Sequence, residues 1–243
     1  MQDSGLIVVT GGAIGLGREL TKHYHGLGRK LVICGRTESA LDEVTTLYPG
    51  VVTVAADLAD PAGRKHLVDA VHEQEQPVAM LIHNAALQHQ HDFVSRCTPI
   101  EKVETEISVN FLAPIELTID LLPLLRQAEQ ARVVFVTSAL ARVPKKSAPV
   151  YCATKAGLSN FARALRYQLE GTGVAVSEVV PDLMVTRMTA GRGGKGFSAA
   201  EAANKIVAGL GAGKEEIRLG RVPKLFALHR LLPDLAYRVL KTS

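Results

Sequence analysis

Four apolar, mostly β-branched residues, Leu6-Ile7-Val8-Val9, pass without a linker into Thr10-Gly11-Gly12-Ala13-Ile14-Gly15-Leu16-Gly17. From there the chain continues with apolar residues at helical spacing, Leu16, Leu20, Tyr24 and Leu27. A short run of this kind reads as a strand buried on both faces. Such a strand belongs to a parallel sheet, whose next strand is reached through a crossover helix, so strand, glycine turn and helix together commit the chain to a βαβ start. Gly11 permits the tight turn, Gly15 lets backbone approach a pyrophosphate, and Gly17 lets the helix pack closely on the sheet. Free N–H groups at the new helix's start then face the phosphates. Thr10, Gly11, Ala13, Ile14, Gly15, Leu16 and Gly17 are therefore the expected contacts of a bound dinucleotide.

The alternation continues to about Val180. Strands are predicted near 6–10, 30–35, 51–56, 78–83, 132–138, 173–180 and 215–219, with helices near 15–27, 38–47, 61–75, 99–126, 150–170 and 198–210. This is the pattern of an α/β fold: a Rossmann-type, doubly wound parallel sheet of about seven strands with helices on both faces. With 243 residues, 47% of them hydrophobic, the chain suits one domain over 1–243. Ligands of such sheets gather at the carboxyl ends of the strands. Thr10, Arg36, Asp57, Asn84, Ser138 and Pro181 all fall there.

Ser138, Tyr151 and Lys155 form the chemical core of the sequence. Tyr151 and Lys155 lie four residues apart, which on a helix puts phenol and ammonium on one face. A free phenol loses its proton near pH 10, and a neighbouring cation favours the phenolate and brings proton transfer into working range. A serine hydroxyl beside them holds a carbonyl or alcohol oxygen. This is equipment for moving a proton on oxygen while a hydride moves on carbon.

The end of the second strand selects the nicotinamide cofactor, because the adenosine ribose lies there. Val32-Ile33-Cys34-Gly35-Arg36-Thr37 offers no carboxylate, and Arg36 supplies a guanidinium able to pair with a 2′-phosphate and stack on adenine. NADP(H) is favoured over NAD(H), although Ile14 contributes neither charge nor hydrogen bond.

The spacing Thr-Gly-x-x-x-Gly-x-Gly, followed by Asp57-Leu58, His83-Asn84-Ala85-Ala86, Asn110, Ser138, Tyr151-x-x-x-Lys155, Pro181 and Thr186, resembles the short-chain dehydrogenase/reductase family, in its branch of about 250 residues. The tail and the segment Pro149–Leu158 also resemble a poorly characterised bacterial-type oxidoreductase subgroup. The resemblance implies adenine contacts at Asp57 and Leu58, cofactor contacts at Asn84, Ala85, Pro181 and Thr186, and a ribose contact at Lys155. It implies that Asn110 is a fourth catalytic residue, anchoring a water. It further implies a substrate lid near 184–200, which includes Gly191 to Gly196, and a homodimer or homotetramer paired through the two long helices. Two departures stand out. Asp182 replaces the usual glycine after Pro181, placing charge beside the nicotinamide, and Ala86 replaces the last glycine of Asn-Asn-Ala-Gly.

The expected function is hydride transfer between NADP(H) and a small carbonyl or alcohol substrate, with Tyr151 as general acid/base. The competing class is a nucleotide-sensing or scaffold protein on the same fold without turnover, against which the complete Ser138–Tyr151–Lys155 set argues. The net charge of +4 with pI ≈ 9.0 reads as spread along the chain and needs no nucleic-acid partner. Three cysteines give no paired framework and no leader precedes Leu6, so a reducing, cytoplasmic setting is expected. No apolar run reaches the length of a membrane span. His89-Gln90-His91-Asp92 lacks further ligands at metal spacing, so no metal site is expected. The tail 221–241, leucine-rich and basic, reads either as an amphipathic membrane-surface helix or, in preference, as packing at a subunit contact or over the active site.

Overall fold

The computed structural model describes residues 5–95, 98–182 and 198–241. Strands β1 (Leu6–Thr10), β2 (Leu31–Gly35), β3 (Val52–Ala55), β4 (Val78–His83), β5 (Ala131–Val136), β6 (Val174–Val180) and β7 (Glu216–Arg218) form one sheet in the order β3-β2-β1-β4-β5-β6-β7. Every pairing is parallel. The order reverses between β1 and β4, so the cleft opens at their carboxyl ends. This is the doubly wound Rossmann-type arrangement expected.

Helices cover both faces, which is why the central strands are apolar throughout. On one face α3 (Pro61–His72), α5 (Ala113–Leu125) and α6 (Pro149–Gln168) bury Leu67, Leu117, Leu121 and Leu158 against Val8, Leu81 and Phe135. On the other, α1 (Gly15–Gly26), α2 (Glu38–Leu47) and α7 (Ala199–Gly211) bury Leu20, Leu41 and Ile206 against Val9 and Ile33. Each such side chain contributes about 1.5–3 kcal/mol by leaving water. Local signals set the helix starts. Asp60 accepts from the Ala62 N–H at 2.9 Å with Pro61 in the first turn, and Ser198 with Glu201 forms a capping box on α7.

The long helix expected over 99–126 is broken. It runs as α4 (Ile100–Ile107), a π turn over Ser108–Leu112, then α5. Pro114 explains the break: it has no N–H to give the Asn110 carbonyl four residues back, and its ring would strike that carbonyl in a regular helix. The wider turn relieves the clash. Ile100–Leu125 is also long and apolar enough, by length and composition, to cross a membrane, contrary to the expectation above. Its inner stripe, Leu117, Leu121 and Leu125, is nevertheless fully buried in the core.

The tail forms two helices, α8 (Val222–Leu231) and α9 (Pro233–Lys241). They fold back on the body: Phe226 and Ala236 are buried, and the Lys146 N–H donates to the Lys241 carbonyl at 3.2 Å. Nor is the net charge spread along the chain. Residues 221–241 hold five cations (Arg221, Lys224, Arg230, Arg238, Lys241) and one anion (Asp234), so they carry the whole +4 while the rest balances.

Candidate active site

The glycine loop is held from behind by two side chains. Thr10 Oγ1 accepts from the Asn84 and Ala85 N–H groups at 3.0 and 3.1 Å, and Asn84 Nδ2 donates to the Thr10 and Gly11 carbonyls at 3.0 and 3.1 Å. These bonds lock the end of β1 to the end of β4. Gly11 has φ +65° and Gly15 φ +54°, in the left-handed region that side chains avoid. At Gly17 a Cβ would lie 2.0 Å from the Gly11 carbonyl oxygen. Gly17 is thus required by its close approach to the Gly11 carbonyl and the Asn84 side chain, just past the ends of β1 and β4. α1 begins at Ile14 with no side-chain cap and no acidic residue in its first turn. Its first residues, Gly15 and Leu16, line the cleft, and the free N–H groups of a helix's first turn favour an anion.

One cleft of ≈ 870 Å³ joins this loop to the end of β5. Of the residues singled out in the sequence, Gly11, Ala13, Ile14, Gly15, Leu16, Arg36, Asp57, Leu58, Asn84, Ala85, Ser138, Tyr151, Lys155 and Pro181 line it. Thr10, Gly17 and Asn110 do not, and support its wall from behind. Thr186, most of the lid segment 184–200 and Cys97 lie outside the described residues.

At the inner end, Lys155 is 2% exposed and its Nζ donates to the Val136 carbonyl at 2.8 Å. Nζ sits 5.8 Å from the centre of the Tyr151 ring. Burial pushes the lysine down to about 8. Ser138 lies just past β5 and caps a 3₁₀ turn, its Oγ accepting from the Leu140 N–H at 3.1 Å. A hydroxyl that accepts one bond still has its hydrogen to donate. Asn110, wholly buried, uses its side chain on Leu87 and on Thr154 Oγ1 (3.3 Å). His83, beside Lys155, bonds Thr118 Oγ1 at 2.9 Å, and burial lowers it to about 3, so it adds no second cation.

Several residues here carried no signal in the sequence. Arg18 lines the same cleft as Arg36 and pairs with Glu43 at 2.9 Å. No carboxylate at the end of β2 lines the cleft; among the described residues its acids are Asp57 and Asp182. Asp182 is neutralised by Arg221, whose backbone N–H and Nε donate to Oδ2 at 3.0 and 2.9 Å. Its charge is thereby engaged at the start of α8. Leu225 and Leu240 bring the tail into the cleft wall, the packing over the site that was one of its two readings. In the His89–Asp92 loop, His91 Nε2 meets Glu106 Oε2 at 2.7 Å, both side chains fully buried. That pair holds the segment carrying Gln88 and Gln90 against the cleft. Partners 39 and 15 residues apart leave no local pattern to read.

The model of the short chain dehydrogenase family matches residues 5–195. The chain is 36% identical over 243 residues to the uncharacterized oxidoreductase DltE of Bacillus subtilis (strain 168), covering 98% of this chain and 96% of that protein. It is 30% identical to dehydrogenase/reductase SDR family member 7B of Mus musculus, over 98% of this chain and 80% of that protein. Among solved structures it is similar to a short chain dehydrogenase from Burkholderia cenocepacia J2315 in complex with NADP, with TM-score 0.86, 23% identity and full coverage of both chains. A Burkholderia phymatum short chain dehydrogenase/reductase in complex with NAD aligns with TM-score 0.85 and 21% identity, over 99% of this chain and 97% of that one.

Proposed function

The chain belongs to the short-chain dehydrogenase family, and from that premise we propose that it exchanges a hydride between NADP(H) and a small carbonyl or alcohol substrate. One observation carries the reading: Ser138, Tyr151 and a buried Lys155 meet in the cleft that the glycine loop opens into. The residues present suit a dinucleotide. α1 offers its first N–H groups without a side-chain competitor, and the side-chain-free Gly11 and Gly15 in the cleft wall leave the backbone approachable. Arg36 and Arg18, with no carboxylate at the β2 end, support the phosphorylated cofactor.

The bound nicotinamide supplies or receives the hydride. Tyr151 donates its phenolic proton to the substrate oxygen as negative charge grows there, and takes it back in the oxidative direction. Ser138 donates a hydrogen bond to the same oxygen and fixes its position. The Lys155 ammonium favours charge on the phenolic oxygen and, on the family resemblance, would hold the nicotinamide ribose. Asn110 positions the Leu87 segment, and its main-chain carbonyl, which Pro114 cannot bond, is the site for the water implied at this residue. Asp57, Leu58, Asn84, Ala85, Pro181 and Thr186 are proposed as cofactor contacts on family resemblance. Pairing of copies through α4–α5 and α6 is proposed on the same ground, and exposed Ile119 and Tyr167 suit it.

The test is a paired titration with NADPH and NADH, followed by a carbonyl screen with the tighter cofactor that monitors its absorbance. Substrate-dependent NADPH loss is expected. Binding without oxidation across the panel would favour a cofactor-sensing protein.

A further inference from the structure

α8 and α9 turn one apolar side inward and leave a second one in solvent. Phe226 and Ala236 are buried, and Leu225 and Leu240 line the cleft. On the outside, Leu231 is 76% exposed, Leu232 55% and Val239 54%, with Leu235 and Tyr237 more than a third exposed. Leu235 and Val239 lie one turn apart on α9, and the Leu231-Leu232 pair forms the corner just before it. Around them stand Lys224, Arg230, Arg238 and Lys241, none of which is in an ion pair among the described residues. These helices therefore combine four cations and a single anion, Asp234, with an uncovered apolar row.

We infer that this face docks on the surface of an anionic lipid bilayer. Leucine, valine and tyrosine side chains flanked by lysine and arginine suit the boundary between acyl chains and headgroups, where the apolar row leaves water and the cations meet lipid phosphates. A second copy is a poorer occupant. A two-fold contact sets a patch against itself, and here it would oppose four cations and one anion with the same set. Because α8 and α9 also form part of the cleft wall, docking brings the cleft to the membrane. The inference needs no turnover and stands or falls separately from the hydride-transfer reading.

Co-sedimentation with vesicles tests it, comparing phosphatidylcholine alone with phosphatidylcholine containing roughly a third phosphatidylglycerol, at low salt. The wild-type chain is expected on the phosphatidylglycerol vesicles, released as salt rises, and absent from pure phosphatidylcholine. Arg230→Glu/Arg238→Glu, and separately Leu232→Ser/Val239→Ser, are expected to weaken binding about tenfold or more while keeping wild-type NADPH affinity. The wild-type comparison decides even where a variant folds poorly. No binding to phosphatidylglycerol vesicles, or equal binding to both kinds, overturns the inference. So does a dimer in sedimentation equilibrium that Leu232→Ser/Val239→Ser disperses, since a second copy would then occupy the face.

Discussion

Asn110 satisfies both backbone groups of Leu87: Oδ1 accepts from the Leu87 N–H and Nδ2 donates to the Leu87 carbonyl, each at 2.7 Å. A buried side chain on the π turn thus clamps the strand-to-loop passage that carries Gln88 and Gln90 into the cleft. Asn110→Ala leaves those groups without partners, at a cost of about 1–3 kcal/mol. A thermal melt should fall by several degrees, and turnover should drop with it. An unchanged melting temperature would show that the clamp holds nothing.

Gly17→Ala should cost the cofactor site far more than its size implies. The added methyl meets the Gly11 carbonyl oxygen at 2.0 Å, so the phosphate loop must move. NADPH affinity should weaken by about tenfold or more, the equivalent of about 1.4 kcal/mol. Gly26→Ala on the same helix is the control, since nothing lies within 4 Å of its Cβ. There the better helix former should leave affinity intact and hold or raise stability by up to about 1 kcal/mol.

Arg36→Ala should weaken NADPH while leaving NADH nearly untouched. A charge-assisted bond to the 2′-phosphate is worth about 1.5–3 kcal/mol, a loss of roughly 10- to 100-fold in affinity. Calorimetric titration of both cofactors against both proteins measures it. Equal losses for the two would remove Arg36 from the ribose site.

Lys155 gives a pH dependence with a definite sign. Its folded value, about 8, lies below the ordinary 10.5 because the ammonium is buried. Between those limits the unfolded chain binds a proton that the folded chain has released, so the lysine's contribution to stability rises with pH. Below about 8 both states are protonated and the burial penalty is fully present. Cys34 and Tyr24, raised by burial to about 11 and about 12, act in the opposite sense, so the comparison is with Lys155→Met, which retains both. Urea melts across pH 7–11 should show wild type gaining on the variant through the 8–10.5 window. A constant difference would contradict the buried ammonium.

What was legible in the sequence was what local pattern dictates. The alternation of β-branched runs with helical spacing placed all seven strands of the sheet to within two residues, because a strand buried on both faces admits little else. The glycine loop was readable because φ values such as +65° at Gly11 leave few residues to choose from. The π turn was missed although its cause, Pro114, is in plain view: a proline early in a helix is ordinarily harmless, and here the helix had already begun. Asp182–Arg221 and His91–Glu106 were unreadable because each joins elements that only the finished fold brings together. The tail helices offered a first-turn proline each, Pro223 and Pro233, as their start signal. α8 has no side-chain cap, and its register is set by Phe226 under Arg142 and Arg218, whose guanidinium carbons lie 4.3 and 5.3 Å from the ring centre.

The most direct measurement is single-turnover NADPH oxidation by wild type and Tyr151→Phe on a carbonyl that the wild type reduces, with NADPH affinity measured alongside. If the phenol moves the proton, Tyr151→Phe binds NADPH almost as tightly and loses about 10³-fold or more in rate. A phenylalanine variant that still reduces the carbonyl at a comparable rate would contradict the assignment of Tyr151 as the acid.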